Sequence, residues 1–534
     1  MLAKIVVQNY RTFRRFELDF DPEVNTLVGD NDTGKSTLLE AIGLALTGRI
    51  RGRQLSQELS PYLFHRDATR EYVAALKAGR PAPPPEIIID LFLTNKADLA
   101  ALRGTNNLLK IDEPGVRVRI ALDPNYMPEY EAFISDPSNV RLVPTEYYEV
   151  EWLAFSGNRI TSRSIPATAS LIDASTIQLQ SGVDYYLNGI ISANLEPRER
   201  VELARAYRSL RENFSGDDSI IKINEKLRGA PRDVSDRKLT LNIDVSHRSS
   251  WESNIVPHLD ELPFQFVGKG EQSTLKILLA LNKDVDEAHI VLVEEPENHL
   301  SFPNLGKLVK KIRDKCQGKQ VFITTHSSYV LNKLGLEKLV LLSEAGGFRL
   351  DGLPADTRDY FRKLPGYETL RLVLARKSIL VEGPSDELIV QRAYLDQHGR
   401  LPIEDGIDVI SVRAISFKRF LDIAILLKKN HVTIVTDNDG KDTADVRANY
   451  EGYIAHGNVT VCVGEDKRYK TLESQLLNAN SLAMMNEILG KSYGSEEDLL
   501  KHMTADKNKT TCALTIFNSA QSVNMPGYIQ DAIA

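Results

Sequence analysis

The stretch "NTLVGDNDTGKS", Asn25 to Ser36, decides how the amino-terminal part of this sequence is expected to fold. From Gly29 onward it fits the pattern G-x-x-x-x-G-K-[ST] without a mismatch. A short apolar strand precedes it, and "TLLEAIGLALTG", with helical spacing of its apolar residues, follows. Between a strand and a helix, backbone N–H groups of such a turn can surround phosphate oxygens. The sequence therefore predicts a phosphate-binding loop, the alternative being a glycine-rich turn with a surface lysine.

The residue types in this loop indicate a nucleotide with Mg²⁺. Lys35 would reach the β and γ phosphates of ATP, and the Ser36 hydroxyl would bind the ion. The amino-terminal end of the following helix adds a partial positive charge. The nucleotide-binding residues predicted here are Gly29, Asn31, Gly34, Lys35, Ser36 and Thr37.

Two later segments have the pattern of buried strands that end in polar residues. "HIVLVEEPENHL", residues 289–300, places Glu294 and Glu295 after four apolar residues. The first carboxylate can hold the Mg²⁺ shell and the second can activate the attacking water, unless the segment is only an acidic loop. "VFITTHSS", residues 321–328, ends at His326, which we expect to sense the γ-phosphate unless it is structural.

Together these motifs resemble the ABC-type ATPase heads of the SMC and RecF class. "VQNYRTFRRFELDF", residues 7–20, is similar to their opening hairpin, and "GKGEQSTLKILLAL", residues 268–281, stands where they have a signature motif. The resemblance implies a composite site, in which Lys35 and Ser36 of one head face the signature of another. That signature supplies Gly268, Gly270 and Gln272. A homodimer or higher homo-oligomer follows.

The sequence departs from that class at two points. The signature lacks the usual serine and has Lys269 in a glycine slot, and Glu294 replaces the usual aspartate. Both departures bear on the rate of ATP hydrolysis more than on ATP binding.

Further along, "SILVEGPSDEL", residues 378–388, again has the pattern of a strand, a turn and a helix. Asp386 lies in the first turn of that helix, where an acidic residue is stabilising without any function. Glu382 is different, because it would end a buried strand with a charge that needs a partner.

"IVTDNDG", Ile434 to Gly440, carries two further carboxylates, Asp437 and Asp439. Asn-Asp-Gly is strong turn chemistry, so a plain turn is the alternative. However, parallel strands deliver their carboxyl ends to one edge of a sheet, where α/β folds place their sites. There Glu382 and the two aspartates would repel each other, and Mg²⁺ or Mn²⁺ would resolve that repulsion.

The glutamate followed by Asp-x-Asp is similar to the Toprim domain, and the order of head and Toprim resembles the OLD (overcoming lysogenization defect) nucleases. That family has a second acidic motif, matched by "YKTLESQL" through Glu473, and a lysine, for which "KNKTTCALTIFN" offers Lys509 before Lys507. The resemblance implies two-metal phosphodiester hydrolysis. The implied metal ligands are Ser36 in the head and Glu382, Asp386, Asp437, Asp439 and Glu473 in the Toprim domain, while Glu295, His326, Glu382 and Lys509 are the implied catalytic residues.

In this interpretation, one Toprim ion on Glu382 and Asp437 activates the attacking water. Asp439 holds a second ion, with Asp386 and Glu473 as further candidates. Lys509 neutralises charge that develops on the scissile phosphate.

The expected fold class is α/β: an ATPase head with a helical insertion, followed by a Toprim domain whose parallel sheet is flanked by helices. Residues 1–166 and 252–370 are assigned to the head, and residues 371–534 to the Toprim domain. Residues 167–251 are expected to form the insertion, which would act as a dimerisation arm. A length of 534 residues agrees with more than one core.

Bulk composition excludes several classes of protein. A net charge of −7 excludes a polycation that wraps nucleic acid, so contacts to DNA must use local basic patches or metal ions. Cys316, Cys462 and Cys512 form neither a disulfide framework nor a zinc spacing. With no apolar stretch long enough to span a bilayer, we expect a cytoplasmic protein that does not bind membranes.

The function expected from sequence is an ATP-regulated DNA endonuclease. Relatives in the resembled family defend against bacteriophage, alone, beside a helicase as in Gabija systems, or beside a retron. An alternative is a RecF-like ATP-gated clamp whose Toprim part recruits partners. A topoisomerase or primase is a third reading, although the sequence shows no cysteine-rich zinc module and no recognisable tyrosine-nucleophile domain.

Overall fold

The computed structural model forms two compact units. It describes residues 1–50, 53–80, 82–95, 97–161, 164–165, 167–173, 179–180, 183–184, 191, 195–228, 241, 255–282, 288–343, 346–413, 417–428 and 430–534. The first unit comprises Met1–Leu27, Asp32–Thr325 and Leu342–Gly347, and the second comprises Val28–Asn31, His326–Leu341 and Phe348–Ala534. Within these ranges, no helix combines the length and the apolar composition that crossing a membrane requires.

The strands are numbered in chain order, and in the carboxy-terminal part of the chain they alternate with helices. They are β1 (Leu2–Tyr10), β2 (Phe13–Asp19), β3 (Val24–Val28), β4 (Arg49–Ile50), β5 (Arg53–Gln54), β6 (Ile87–Leu93), β7 (Arg103–Gly104), β8 (Glu113–Leu122), β9 (Tyr148–Ala154), β10 (Ala167–Asp173), β11 (Leu179–Gln180), β12 (Val183–Asp184), β13 (His258–Leu259), β14 (Leu262–Pro263), β15 (Ala288–Glu294), β16 (Lys319–Thr324), β17 (Leu339–Ser343), β18 (Gly346–Arg349), β19 (Lys377–Val381), β20 (Ile407–Ser411), β21 (His431–Thr436) and β22 (Val459–Val463).

The helices are numbered in the same way. They are α1 (Lys35–Thr47), α2 (Arg66–Lys77), α3 (Met127–Ile134), α4 (Pro197–Ser215), α5 (Asp218–Arg228), α6 (Lys269–Asn282), α7 (Phe302–Lys315), α8 (Ser328–Leu334), α9 (Ala355–Lys363), α10 (Thr369–Leu374), α11 (Pro384–His398), α12 (Phe417–Leu427), α13 (Thr443–Ala448), α14 (Glu451–Ile454), α15 (Leu472–Ala479), α16 (Leu482–Leu489), α17 (Glu496–Thr504), α18 (Asp506–Asn518) and α19 (Gly527–Ile533).

The first unit has an antiparallel part built on the opening hairpin. β1 pairs with β2 and β6, β6 with β8, and β8 with β9, all antiparallel. An ion pair is buried between β6 and β8, where the Arg117 guanidinium contacts the Asp90 carboxylate at 2.6 Å. The prediction of an opening hairpin is confirmed.

A parallel part of the same unit positions the predicted nucleotide residues. β10 pairs with β15, β15 with β16, and β16 with β3, all in parallel. Every residue of β3 and β16 is buried, as expected of strands that are covered on both faces. The phosphate loop and the Glu294–Glu295 segment therefore follow strands that are separated only by β16.

The structure departs from the predicted limits of the helical insertion. Its first seven residues, Ala167–Asp173, form β10 and pair with β15 rather than continuing as helix. Parallel backbone pairing with β15 along its whole length places this segment in the sheet. The long helices that the structure describes in the predicted insertion are α4 and α5. Residues 174–178, 181–182, 185–190, 192–194, 229–240 and 242–251 of the predicted insertion lie outside the described residues.

The second unit is a parallel sheet in the order β20-β19-β21-β22. Alternate residues of β19 face opposite cores, with Ile379 and Val381 in one and Leu380 in the other. Helices cover both faces, so the α/β class and the flanked parallel sheet expected from sequence are confirmed.

Residues before the predicted boundary at 370 pack with this second unit. Phe361 and Tyr367 contact the Phe420 ring of α12, with ring centroids 5.3 Å and 5.9 Å apart. The sequence pattern of this segment is that of a connector, but its aromatic side chains supply part of the core beneath the sheet. By packing, the segment from Phe348 onward belongs to the second unit.

A buried arginine links two helices of this unit through hydrogen bonds. The Arg392 guanidinium, on α11, lies against the carboxy-terminal end of α18. It donates to the backbone oxygens of Ile516, Phe517, Ser519 and Gln521, at 2.6 to 3.1 Å. Carbonyls at the end of a helix lack helical partners, so Arg392 satisfies groups that would otherwise be buried unpaired.

Candidate functional site

The phosphate loop requires glycine at position 34. Gly34 has a φ of 94°, and a Cβ there would lie 2.5 Å from the Phe13 ring. Helix α1 begins at Lys35, and the Leu38 N–H donates to the Gly34 carbonyl at 2.8 Å. Of the other predicted loop residues, Asn31 is exposed, whereas Gly29 and Thr37 are buried. The loop thus closes tightly onto the start of the helix.

The predicted Mg²⁺ ligands of the nucleotide site meet in the structure. The Ser36 hydroxyl, exposed at the start of α1, donates to Oε1 of Glu294 at the end of β15. These two side chains come from positions 258 residues apart in the sequence, and only the strand order brings them together. A hydroxyl beside a carboxylate is the oxygen ligand pair that Mg²⁺ uses at such sites.

Glu295, the predicted general base, is held in an unusual conformation. Its φ is 43°, a left-handed value that residues other than glycine seldom adopt. The Glu295 N–H donates to Thr324 Oγ1 at 3.1 Å, and Asn298 Nδ2 donates to Glu295 Oε2 at 2.8 Å. Such strain at a strand end is typical of functional sites, because the surroundings must impose it.

The predicted signature segment is only partly available to a ligand. Gly268 is exposed with open space around it, and Gly270 approaches the His299 carbonyl so closely that a Cβ would clash. Gln272 is 2% exposed, and its amide donates to the Phe264 and Val267 carbonyls at 2.8 Å and 2.7 Å. In this conformation Gln272 holds the preceding loop rather than facing a nucleotide. His326 follows β16 by two residues and is exposed.

In the second unit, Glu382 and Asp437 end neighbouring parallel strands. Val381 of β19 is in register with Val435 of β21. Glu382 Oε1 accepts from the Thr436 hydroxyl at 2.6 Å and from the Asp437 N–H at 3.1 Å. The two predicted carboxylates therefore share one edge of the sheet, with backbone and hydroxyl donors fixing Glu382.

Asp386 and Glu473 complete a group that we call the carboxylate centre, defined as Glu382, Asp386, Asp437 and Glu473. Burial, together with the charges of Glu382 and Glu473, raises the pKa of Asp386 to about 7. Its carboxylate accepts from the Gly383 N–H at 3.0 Å. Glu473, in the first turn of α15, is 6% exposed.

Asp437 lies at the middle of the centre. Burial, followed by the charges of Asp386 and Glu382, raises the pKa of Asp437 to about 8, although the Leu472 N–H donates to it. Asp437 Oδ1 is buried and, within the described part of the chain, has no hydrogen-bond partner. An acceptor oxygen without a donor among other carboxylates favours a cation or a water molecule at this point.

Asn438, between the two aspartates, provides the turn. Its amide donates to the carbonyls of Gly464, Asp466 and Tyr469 at 3.0, 3.0 and 3.3 Å, and its Oδ1 accepts from the Gly440 N–H at 2.9 Å. Asn438 is fully buried. The turn and the carboxylate function are therefore divided between adjacent residues.

Asp439 differs from the members of the centre in its exposure. It is exposed, with a φ of 51°, and its N–H donates to the Lys470 carbonyl at 3.3 Å. The predicted lysine is better placed, because Lys509 Nζ lies 4.0 Å from Glu473 Oε1, whereas Lys507 is exposed. The distinction between the two lysines made from sequence agrees with this arrangement.

The chemical nature of these residues suits a divalent cation, but their present arrangement does not yet form a binding site for one. The centre offers oxygen ligands only, the preference of Mg²⁺ and Mn²⁺. Raised pKa values and an unpartnered oxygen both indicate a deficit of positive charge. In the chain as described, no three acidic, histidine or cysteine side chains converge closely enough to hold an ion. An ion would therefore have to draw the carboxylates together.

Comparison with protein families agrees with both units. A model described as an AAA domain matches residues 4–80, and an AAA domain model of the AbiEii toxin, type IV toxin–antitoxin class matches residues 164–332. The model for the Toprim domain of overcoming lysogenization defect protein-like proteins matches residues 373–439. The chain carries an OLD-like Toprim domain. The resemblance inferred from the motifs is confirmed, since ATPase segments precede that domain.

Individual relatives of this OLD-like chain include Endonuclease GajA of Bacillus cereus (strain VD045), 22% identical over 84% of this chain and 77% of the relative. RecF of Lactobacillus acidophilus is 51% identical over 9% of this chain and 12% of its own length. A solved RecF–ATP structure covers 65% of this chain and 98% of its own at a TM-score of 0.33 and 16% identity. The solved carboxy-terminal region of the Xanthomonas campestris pv. campestris OLD protein covers 30% of this chain and 92% of its own, at a TM-score of 0.23 and 21% identity.

Two residues of this site were not among the predicted site residues. Asn438 was within the quoted stretch, and its burial could have been inferred from its place between a strand and a glycine. Tyr528, on α19, faces the carboxylate centre from 55 positions after Glu473, and the segment "NMPGYIQDAIA" carries no motif that marks it.

Proposed function

We propose that this protein is an ATP-regulated, divalent-metal-dependent DNA endonuclease that hydrolyses phosphodiester bonds at the carboxylate centre. The unpartnered Oδ1 of Asp437 carries this proposal. A fold gains nothing by burying mutually repelling carboxylates at a sheet edge, so their retention supports a cation-dependent reaction. The endonuclease named among the relatives, which aligns over most of both chains, is consistent with it.

The residues of the centre would divide the work. Glu382 and Asp437 would hold one Mg²⁺ or Mn²⁺, while Asp386 and Glu473 would hold a second. Bound cations supply an activated water and stabilise the leaving oxygen. Asp439 joins them only if its loop turns inward. Lys509, beside Glu473, would place a positive charge against the scissile phosphate and so stabilise the charge that develops there.

The phosphate loop and the ends of β15 and β16 would supply ATP binding and hydrolysis. Lys35 would meet the phosphates, Ser36 and Glu294 would hold Mg²⁺, and Glu295 would accept a proton from the attacking water. The contact from Asn298 keeps the Glu295 carboxylate in one orientation. His326 would sense the γ-phosphate.

We also propose a homodimer or larger homo-oligomer. A signature segment of a second copy would complete the nucleotide site through Gly268 and Gly270. In addition, α4 exposes Val201 at 68% and Leu210 at 64%, large apolar side chains that a partner copy would cover. Light scattering at micromolar concentration, with and without ATP, tests this. A monomer under both conditions would contradict it.

Cleavage of supercoiled plasmid tests the central proposal. Wild type should cut with Mg²⁺ or Mn²⁺ and fail in EDTA. Asp437→Ala should fail at every metal concentration but keep its ATPase rate. Lys35→Ala should bind ATP about ten- to a hundredfold more weakly, so its cleavage should no longer respond to ATP concentrations that saturate wild type. A folded Asp437→Ala protein that cuts DNA at the wild-type rate would place the chemistry elsewhere and return the second unit to a recruiting role.

The biological role we propose is defence against bacteriophage, alone or with a helicase or retron component encoded nearby. Cells that carry the wild-type gene with its neighbouring genes should resist phages that plate normally on cells with Asp437→Ala. Equal plaque numbers on both strains, across a diverse phage panel, would contradict that role.

A further inference from the structure

Tyr528 lies at the carboxylate centre although it is remote from it in sequence. It is the second residue of α19, a helix that packs against β21, β22 and α11. The side chain is 5% exposed and belongs to the core cluster that contains Val435 and Cys462. Its ring is therefore held by packing on the face of the sheet whose edge carries Asp437.

The hydroxyl of Tyr528 is buried close enough to the carboxylate centre for its charges to act on it. Its pKa is raised well above the ordinary value, by burial first and then by the charge of Asp437, with Asp386, Glu382 and Glu473 contributing further. The hydroxyl oxygen is buried and has no partner among the residues that the structure describes. Because a buried hydroxyl without a partner is destabilising, the position favours an acceptor beside it.

Two buried atoms without partners thus belong to one centre. Tyr528 offers a hydroxyl donor, and Asp437 offers its Oδ1 acceptor. A water molecule satisfies both at once, because its oxygen accepts from the tyrosine while one of its hydrogens goes to the carboxylate. Direct contact between the two side chains is not made in this structure.

We infer that Tyr528 is a positioning residue of the nuclease centre, whose hydroxyl donates to a water molecule also held by the Asp437 carboxylate. A divalent cation held at the centre would share that water, and the hydroxyl would then strengthen the binding of the hydrated ion. This inference rests on the proposed metal-dependent function and names an additional residue that acts in it. The tyrosine stays neutral, so its contribution is a hydrogen bond and not a charge.

The test replaces the hydroxyl and keeps the ring, in the full chain as Tyr528→Phe. Mn²⁺ binding is measured without nucleotide by electron paramagnetic resonance of free Mn²⁺, and Asp437→Asn identifies the binding that belongs to the centre. Loss of one water-mediated hydrogen bond should weaken the Asp437-dependent Kd about five- to tenfold. Cleavage should need correspondingly more Mn²⁺ for half-maximal rate, with a maximal rate within about threefold of wild type at saturation.

Tyr394→Phe is the matched control. Tyr394 is also 5% exposed and in the same core cluster, but its hydroxyl donates to Asp405 at 2.7 Å, away from the centre. It should lose some thermal stability and keep the wild-type Kd for Mn²⁺. Tyr528→Phe should show the reverse pattern, with a metal-free unfolding temperature at or above that of wild type.

The outcomes separate the two proposals. If the Kd of the Asp437-dependent Mn²⁺ binding in Tyr528→Phe is within twofold of that in wild type, the role of the hydroxyl is overturned. The nuclease proposal then still stands. Wild type without any Asp437-dependent Mn²⁺ binding overturns the metal-dependent function, and this inference with it. Should Tyr528→Phe fail to fold, the hydroxyl has a structural role, and that also overturns the inference.

Discussion

Asp437→Asn should inactivate DNA cleavage and at the same time stabilise the metal-free protein. The substitution keeps the shape of the side chain and its acceptor for the Leu472 N–H, but it removes a negative charge from among Asp386, Glu382 and Glu473. Loss of activity with a gain of stability is not expected for a residue that only makes a turn. A residue retained for function at a cost in stability would show this combination.

The magnitude follows from the pKa of Asp437, which burial and neighbouring carboxylates raise to about 8 from a usual value of 3.8. Each unit of such a difference corresponds to about 1.4 kcal/mol between the two protonation states. The full difference would give on the order of 5 kcal/mol at high pH, and uptake of a proton by Asp386 relieves part of it. We therefore expect a gain of roughly 2–4 kcal/mol, or about 5–10 °C in the unfolding temperature of the second unit.

The sign of the pH dependence can be stated in advance. Between pH 4 and 8 the folded protein binds a proton at Asp437 that the unfolded chain has released, so the contribution of this group to stability falls as pH rises. In EDTA, the unfolding temperature of wild type should therefore fall relative to that of Asp437→Asn between pH 6 and pH 8.5. Added Mg²⁺ should raise the unfolding temperature of wild type and leave that of the variant nearly unchanged.

Thermal unfolding in EDTA at both pH values is the assay, with Asp408→Asn as the control. Asp408 is a buried aspartate in the same sheet, but Arg371 pairs with it through two hydrogen bonds, so its replacement should destabilise. If Asp437→Asn is less stable than wild type at pH 8.5 without metal, the carboxylates are not in conflict, and the argument for a cation at this edge is refuted.

Other substitutions address the remaining parts of the structure. Lys35→Ala should weaken ATP binding by about ten- to a hundredfold, because a charged contact to phosphate is lost, and titration with a fluorescent nucleotide measures this. Glu295→Gln should bind ATP normally but hydrolyse it about 10²- to 10⁴-fold more slowly, and an unchanged turnover rate would assign the general base to another residue. Asn438→Ala should lower the free energy of unfolding by about 2–4 kcal/mol, because the Gly464–Tyr469 loop loses its amide contacts. It should also abolish cleavage and leave the ATPase activity intact. Normal cleavage would show that this loop is not needed.

Much of the site could be predicted because it is encoded locally. The spacing of Gly34 and Lys35 is a property of one loop, and a charge at the end of an apolar strand marks Glu382 and Asp437. The parallel pairing of β19 and β21 then follows from the alternation of strands and helices. Such features depend on a few adjacent residues, and so they are visible in a single sequence.

What could not be predicted depends on where the chain turns after leaving its strand. Asp437 and Asp439 would face the same side if the strand continued, but β21 ends at Thr436, and Asp439 has a positive φ and is exposed. Similarly, nothing in the sequence shows that the amide of Gln272 is used by two loop carbonyls. Tyr528 reaches the centre only through the packing of α19, and no local pattern records that.

Arg392 sets an order in which the nuclease centre can be assembled. It belongs to the helix that carries Asp386, and the carbonyls it binds, 124 to 129 residues later, end the helix that carries Lys509. Contacts between such distant segments form late in folding, because the long intervening chain must first be ordered. A chain still emerging from the ribosome lacks those carbonyls, while the sequence of the first unit is already complete. We expect the capacity to cut DNA to appear after the capacity to bind ATP, so that an unfinished chain is no danger to the genome of the cell that makes it.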